Sequence, residues 1–204
     1  MNKTGNLAAE PHHTEVGAKL GMWLFLFTEL LLFGGMFLLY SIYRSEHSHE
    51  FFLAASELNT FIGALNTLIL LTSSLTVALS IEALRRGNRK LSITMLSITI
   101  LFGILFLVNK YFEWMAKIHH GIYPGGPELL SLSDGEMLFY NLYYVMTGLH
   151  GLHVLIGIVV LSVMLFFIIR KHESTTIKLE NSGLYWHLVD IIWIFLFPLF
   201  YLIS

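Results

Sequence analysis

The chain has 204 residues, 55% of them hydrophobic and 13% charged, with a formal net charge of -2 and a mean hydropathy of +0.69. That balance excludes an ordinary soluble domain and points to a polytopic membrane protein, and nothing in the charge suggests a nucleic-acid partner. There is no cysteine, which excludes disulfides, thiolate-ligated copper or iron–sulfur clusters, and haem attached through Cys-x-x-Cys-His.

Taken in order, residues 1–17 read as a polar tail without the apolar core of a cleavable signal, so the first apolar run is expected to serve as the insertion signal and to stay. Five apolar runs are long enough to cross a bilayer, at about 20 residues per crossing. As helices they cover about residues 18–44, 57–84, 90–119, 134–171 and 180–203 of a single domain. The fourth is too long for an upright crossing, so it tilts or protrudes. Gly121-Ile122-Tyr123-Pro124-Gly125-Gly126-Pro127 is turn chemistry that ends the third helix. Ser133 precedes Glu136 by three, the capping-box spacing that starts the fourth. Pro198 is expected to kink or end the last helix.

Arg85, Arg86, Arg89 and Lys90 crowd the second loop, and Arg170, Lys171 and Lys178 sit around the fourth. The first and third loops carry Glu46, Glu50, Glu57, Glu128, Asp134 and Glu136. By the positive-inside rule the second and fourth loops are cytoplasmic, the N-terminus inside and the C-terminus outside. Aromatics fit interfacial belts: Trp23, Tyr185 and Trp186 at the inner surface, and Tyr40, Tyr43, Trp114, Tyr140 and Tyr201 at the outer.

A few polar side chains inside the apolar runs carry the functional question. Glu29 lies about eleven residues into the first helix, roughly 16 Å deep at 1.5 Å per residue. Intramembrane acids are functional candidates by default: Glu29 is either a proton-relay or lipid-contacting group, or a neutral carboxyl bonded to a neighbouring helix. His150 and His153 share one helix face, as do His187 and Asp190, each pair three residues apart. Read as ligands, they are similar to those of carboxylate di-iron bundles without matching the Glu-x-x-His pattern on two helices, and histidines opposed on two helices could hold haem. The structural alternative is one hydrogen-bonded polar cluster in which Asp190 accepts from His187 or from a histidine of the fourth helix. Gly148 and Gly151 beside these histidines allow another backbone to come close. Asn59, Asn66, Ser73 and Ser80 recur every seven residues on the second helix, as helix-packing polar groups do; a solute path along them is the other reading. Lys110, Glu113 and Lys117 can pair along one face at the outer interface, as structural pairs or a docking surface.

These residues together resemble subunit III of the haem–copper respiratory oxidases. The first helix reads Gly21-Met22-Trp23-Leu24-Phe25-Leu26-Phe27-Thr28-Glu29, like that family's apolar helix with one glutamate. Leu65-Asn66-Thr67 with Leu70-Leu71-Thr72-Ser73-Ser74-Leu75-Thr76 resembles its second signature, and Ser133-Asp134-Gly135 opens the fourth helix. The most specific stretches are Thr147-Gly148-Leu149-His150-Gly151-Leu152-His153-Val154 and Tyr185-Trp186-His187-Leu188-Val189-Asp190-Ile191-Ile192-Trp193. Order and spacing match from about Gly17 to Ser204. The mitochondrial-type subunit has two further N-terminal helices, so the likeness is to the five-helix bacterial forms. Asn109-Lys110 stands where many relatives have a glutamine near Lys110.

The resemblance implies an all-α membrane protein of five transmembrane helices in a V-shaped, two-plus-three bundle. It implies a non-catalytic subunit without haem, copper or an active site of its own. Phospholipid fills the cleft beside Glu29. Subunits I and II are the partners, subunit I holding haem and copper, and cytochrome c or quinol is the donor to the complex. The role implied is to support proton uptake and oxygen access and to protect subunit I, in a bacterial inner membrane. A nitric-oxide-reductase accessory protein shares the fold. Outside the family, a stand-alone membrane haem or metal protein and a small transporter coupled through Glu29 are the competing classes.

Overall fold

The computed structural model describes residues 11–172 and 175–203. Among them it is all-helical: α1 (Pro11–Glu46), α2 (Ser48–Ser56), α3 (Thr60–Arg85), α4 (Arg89–His119), a 3-10 turn (Leu129–Ser131), α5 (Asp134–Arg170) and α6 (Thr175–Tyr201). α1, α3, α4, α5 and α6 are each long and apolar enough to cross a membrane. α5, with 37 residues, is about 55 Å long at 1.5 Å per residue, well beyond the roughly 30 Å hydrocarbon layer.

Local chemistry sets the helix ends. The Asn59 and Asn88 side chains accept from the Ile62 and Leu91 amides, both at 3.2 Å, and so start α3 and α4. Ser133 and Glu136 form the expected reciprocal capping box on α5. The three residues between α3 and α4 reverse the chain because Gly87 takes φ 75°, a region open to glycine at no steric cost.

α3, α4, α5 and α6 pack in a ring, each against the next and α6 back on α3, to form one four-helix bundle. α1 lies outside it against α5 and α6. The V-shaped two-plus-three grouping is therefore corrected: the described helices divide as four plus one. The physical reason is the distribution of polar and aromatic anchors, which face inward on four helices, whereas α1 offers little beyond Leu26, Phe33 and Tyr40 to bury. Outward faces carry exposed apolar side chains on every long helix, among them Leu31, Leu75, Leu101, Val145 and Phe195. So continuous an apolar exterior needs lipid or a partner to cover it.

Other expectations change in detail. α2 forms in what reads as a plain loop. Phe51 from it packs edge-on against Tyr40 and Phe139, at 5.5 and 5.4 Å between centroids, and closes an aromatic cluster with Phe200 at the acidic end. α1 begins at Pro11, so residues 11–17 of the expected polar tail are helical, while residues 1–10 lie outside the described residues. α6 starts at Thr175 and runs through Pro198 to Tyr201, so that proline does not end it. Trp23 is exposed as a belt residue should be, but Trp186, Tyr40, Tyr140 and Tyr201 are buried, their polar ends hydrogen-bonded inside the protein.

Candidate functional site

The polar residues singled out in the sequence do not converge; the fold distributes them among separate centres. The first joins α1 to α5. Glu29 Oε2 lies 2.9 Å from His153 Nε2, with the two side chains only 14% and 10% exposed. His153 Nδ1 lies 2.7 Å from the Leu149 carbonyl. A carbonyl only accepts, so Nδ1 carries a proton, and Nε2 and the carboxyl must share one more to avoid two acceptors facing each other. The pair is then neutral overall, whichever atom holds that proton. Phe33 packs edge-on against the imidazole at 5.4 Å, and the Tyr185 hydroxyl donates to the His153 carbonyl.

The second centre lies between α3 and α6. Ser74 Oγ and His187 Nδ1 are 2.5 Å apart. Asp190 is buried nearby, its carboxyl facing the Ser74 hydroxyl and bonded to no histidine. His150 is buried elsewhere, stacked on Trp193 at 5.2 Å with Phe106 edge-on at 5.4 Å, and its ring nitrogens have no hydrogen-bond partner among the described residues. The expected single cluster of His150, His153, His187 and Asp190 is thus corrected: His153 turns to α1, His187 to α3, and Asp190 accepts from neither His187 nor a histidine of α5. An offset of three aligns side chains along one helix but leaves open which neighbour each will meet. The same separation means that these four side chains do not present a converging ligand set for iron or haem.

The third centre is the most completely bonded. On α4, Lys110 and Glu113 are both buried, and Lys110 Nζ lies 3.2 Å from Glu113 Oε2. Nζ also donates to the Tyr143 hydroxyl of α5 and the Tyr201 hydroxyl of α6, each at 2.9 Å. Those two hydroxyls donate in turn to Glu113 Oε1, at 2.6 and 2.5 Å. All three ammonium protons thus have acceptors, and the rings of Tyr143 and Trp193 lie 4.8 and 5.4 Å from Nζ. Lys110 and Glu113 accordingly form no docking surface at the outer interface, and Lys117 makes no ion pair with Glu113; its Nζ sits over the Tyr140 ring at 5.1 Å. α5 and α6 cover this face of α4, which converts a surface spacing into a core network.

Heptad-spaced groups on α3 face the bundle interior. Asn66 accepts from Asn109 at 2.8 Å, Ser73 from the Trp186 indole at 2.9 Å, and Ser80 pairs with Ser92 at 3.1 Å. Gly148 and Gly151 do not admit a neighbouring backbone as expected. A β-carbon at Gly148 would lie 3.0 Å from the Trp114 ring, and one at Gly151 would meet only Leu107, at 3.9 Å. Close approaches by side chains occur instead at Gly183 and Gly63, against Ile81 and Phe197, and at Gly103 and Gly157, where a β-carbon would come within 2.7 and 2.8 Å of the Trp186 ring. Sequence reasoning missed Tyr143 and Tyr201, which complete the Lys110 network, and the bridging role of Trp186. A lysine and glutamate inside an apolar stretch, with tyrosines on two later helices, was the available signal.

Five apolar crossings whose interior polar groups join helix to helix define a polytopic helical membrane protein. The family model described as cytochrome c oxidase subunit III matches residues 5–204. The chain is 34% identical over 203 residues to the cytochrome c oxidase subunit 3 of Prototheca wickerhamii, covering 93% of this chain and 72% of that protein. It is 29% identical over 211 residues to the probable quinol oxidase subunit 3 of Staphylococcus saprophyticus, covering 100% and 98%. It is 30% identical over 192 residues to the haem–copper oxidase subunit I+III of Aeropyrum pernix, covering 89% of this chain and 22% of that one. The chain belongs to the cytochrome c oxidase subunit III family, the third subunit of haem–copper oxidases, and so to a multi-subunit membrane complex.

Proposed function

We propose that the chain is a non-catalytic subunit of a terminal oxidase. It stabilises subunit I and supports proton uptake and oxygen access through a lipid-filled cleft beside Glu29, while haem and copper in subunit I reduce oxygen with electrons from cytochrome c delivered through subunit II. The observation that carries this reading is the Glu29–His153 contact, a neutral polar pair set between a largely exposed apolar helix and the four-helix bundle. It lies where acyl chains would pack against α1, and it bonds that helix to the bundle. That the Aeropyrum relative is named as subunits I and III together supports subunit I as the partner. A quinol donor is the second reading, favoured by the end-to-end match with the staphylococcal relative. On this reading the protein sits in a bacterial inner membrane, with the basic loops inside.

Gentle affinity purification through a tag on this chain tests the proposal. A stoichiometric haem-bearing partner with an oxidase redox spectrum supports it. Recovery of the chain alone with its own bound haem or iron overturns it. A copper-binding second subunit in the eluate separates cytochrome c from quinol as the donor.

Glu29→Gln is expected to assemble, because the amide can donate to His153 Nε2; the cost should stay within about 1 kcal/mol. Glu29→Lys places a charge against lipid and should disturb both the cleft and assembly. The yield of assembled, haem-bearing complex reads both. Failure of Glu29→Gln to assemble would show that a carboxyl, not merely a hydrogen-bonding group, is required there.

A further inference from the structure

Asp190 takes no part in the Glu29–His153 contact. It is 3% exposed on α6 and bonded to no cation among the described residues. A carboxyl in that setting keeps its proton, because a bare charge there would have nothing to offset the loss of water. His187 lies one turn earlier on the same helix face, and the Ser74 hydroxyl of α3 stands between the two. That hydroxyl is 2.5 Å from His187 Nδ1, and the Asp190 carboxyl faces it. His187 also lines a recess of about 320 Å³ between α3 and α6, which has room for several water molecules. Glu82, Arg85 and Glu180 are the charged groups that line it among the described residues. They rim it at the basic end of the bundle, where Arg85 bridges Glu180 at 2.9 Å and Glu82 at 4.0 Å. From Glu180 down to Asp190 is about 15 Å along the helix, at 1.5 Å per residue. Acid, hydroxyl, imidazole and recess thus follow one another from the interior of α6 to its basic end.

We propose that Asp190 is a proton-exchange site, emptied and refilled through Ser74 and His187 from water at the basic end of the bundle. The single hydroxyl proton fixes the order of donors. The Asp190 carboxyl donates to Ser74 Oγ, Ser74 donates to His187 Nδ1, and the imidazole keeps its own proton on Nε2, for the recess that the ring lines. Release moves each proton one place. The Asp190 O–H bond breaks as Ser74 gains that proton, Ser74 passes its own to Nδ1, and the imidazolium so formed loses the Nε2 proton to a water in the recess. The balance is carboxyl plus water giving carboxylate plus hydronium. Serine and imidazole end neutral, and the Ser74 hydroxyl then donates to the carboxylate left behind. Refilling runs the same steps in reverse. Acidic and histidine side chains in series inside membrane helices are suited to such relays. The Glu29–His153 pair lies between α1 and α5, so the two acids exchange their protons independently.

Infrared difference spectroscopy on the oxidase complex, purified by a tag on this chain, tests this. Asp190→Asn identifies the C=O stretch of the protonated Asp190 carboxyl by its loss. The shift of that band after transfer to heavy water gives the exchange rate. Ser74→Ala and His187→Phe should each slow the exchange at least about tenfold. Ser74→Thr keeps the hydroxyl and should exchange near the wild-type rate, and Glu29→Gln should leave the Asp190 band and its exchange unchanged. The two interruptions lie on different helices, so either one that assembles is enough to decide. Two results would overturn the proposal: no protonated-carboxyl band lost in Asp190→Asn, or exchange at the wild-type rate in Ser74→Ala or His187→Phe. The relay belongs to this chain alone, so absence of a haem-bearing partner would defeat the functional proposal while the carboxyl band still decides this one.

Discussion

Lys110→Met is expected to cost about 3–5 kcal/mol of folding stability, the usual penalty for leaving one member of a buried ion pair uncompensated. Glu113 would keep its bonds from Tyr143 and Tyr201 but lose the cation bonded to it. The two tyrosine hydroxyls would lose their common donor and the ring faces their cation. Release and unfolding of this subunit from the purified complex during titration with sodium dodecyl sulfate measures the loss. The double change Lys110→Met with Glu113→Gln should recover more than half of it, because no net charge remains buried. Equal losses in the single and double variants would show that the pair acts through packing alone.

Trp186→Ala is the second large effect, at about 3–5 kcal/mol for a fully buried indole whose site cannot collapse. Trp186 extends from α6 to three other helices. Its N–H bonds Ser73 on α3, and its ring fills the spaces left by Gly103 on α4 and Gly157 on α5. Ser73→Ala should remove only the hydrogen bond and cost about 1–2 kcal/mol. Gly103→Val should approach the alanine variant by the opposite route, since a β-carbon 2.7 Å from the ring forces a core side chain to move. The same detergent titration ranks the three. A loss below about 1 kcal/mol for Trp186→Ala would mean that the four helices hold together without it.

Much of this architecture was legible because it follows from one-dimensional rules. Bilayer thickness sets the length of an apolar run, and all five crossings could be located that way. The Ser133–Glu136 box starts α5 because both partners lie within one turn. What was not legible depends on which helix meets which. His150 and His153 share a helix face, yet one stacks on Trp193 of α6 and the other reaches Glu29 of α1. Lys110 and Glu113 read as an interfacial pair because their covering tyrosines lie 33 and 91 positions from Lys110. Pro198 reads as a kink or an end, but a proline this close to the C-terminal end removes one backbone bond, and α6 continues to Tyr201 with Tyr40 donating to the Leu199 carbonyl. α2 escaped notice because its nine residues are too few to show a periodic pattern, and its burial comes from Phe51 meeting rings on α1 and α5.

The partners of α1 set a timetable for synthesis. Glu29 waits 124 positions for His153, and Tyr40 waits 159 for the Leu199 carbonyl. At about 5–20 residues per second, the nascent chain leaves Glu29 without its imidazole for roughly 6–25 s after that carboxyl emerges from the ribosome. Through that interval α1 is a lone helix in lipid with an unmatched acid, while α3 and α4 can already associate as a hairpin through Thr76–Thr99 and Ser80–Ser92. α1 is made before α5 and can dock only after it, so the insertion machinery must either shelter it until α5 arrives or leave that carboxyl in contact with lipid. A chain cut short before His153 would keep the acid exposed permanently and so display to membrane proteases a mark that the finished protein conceals.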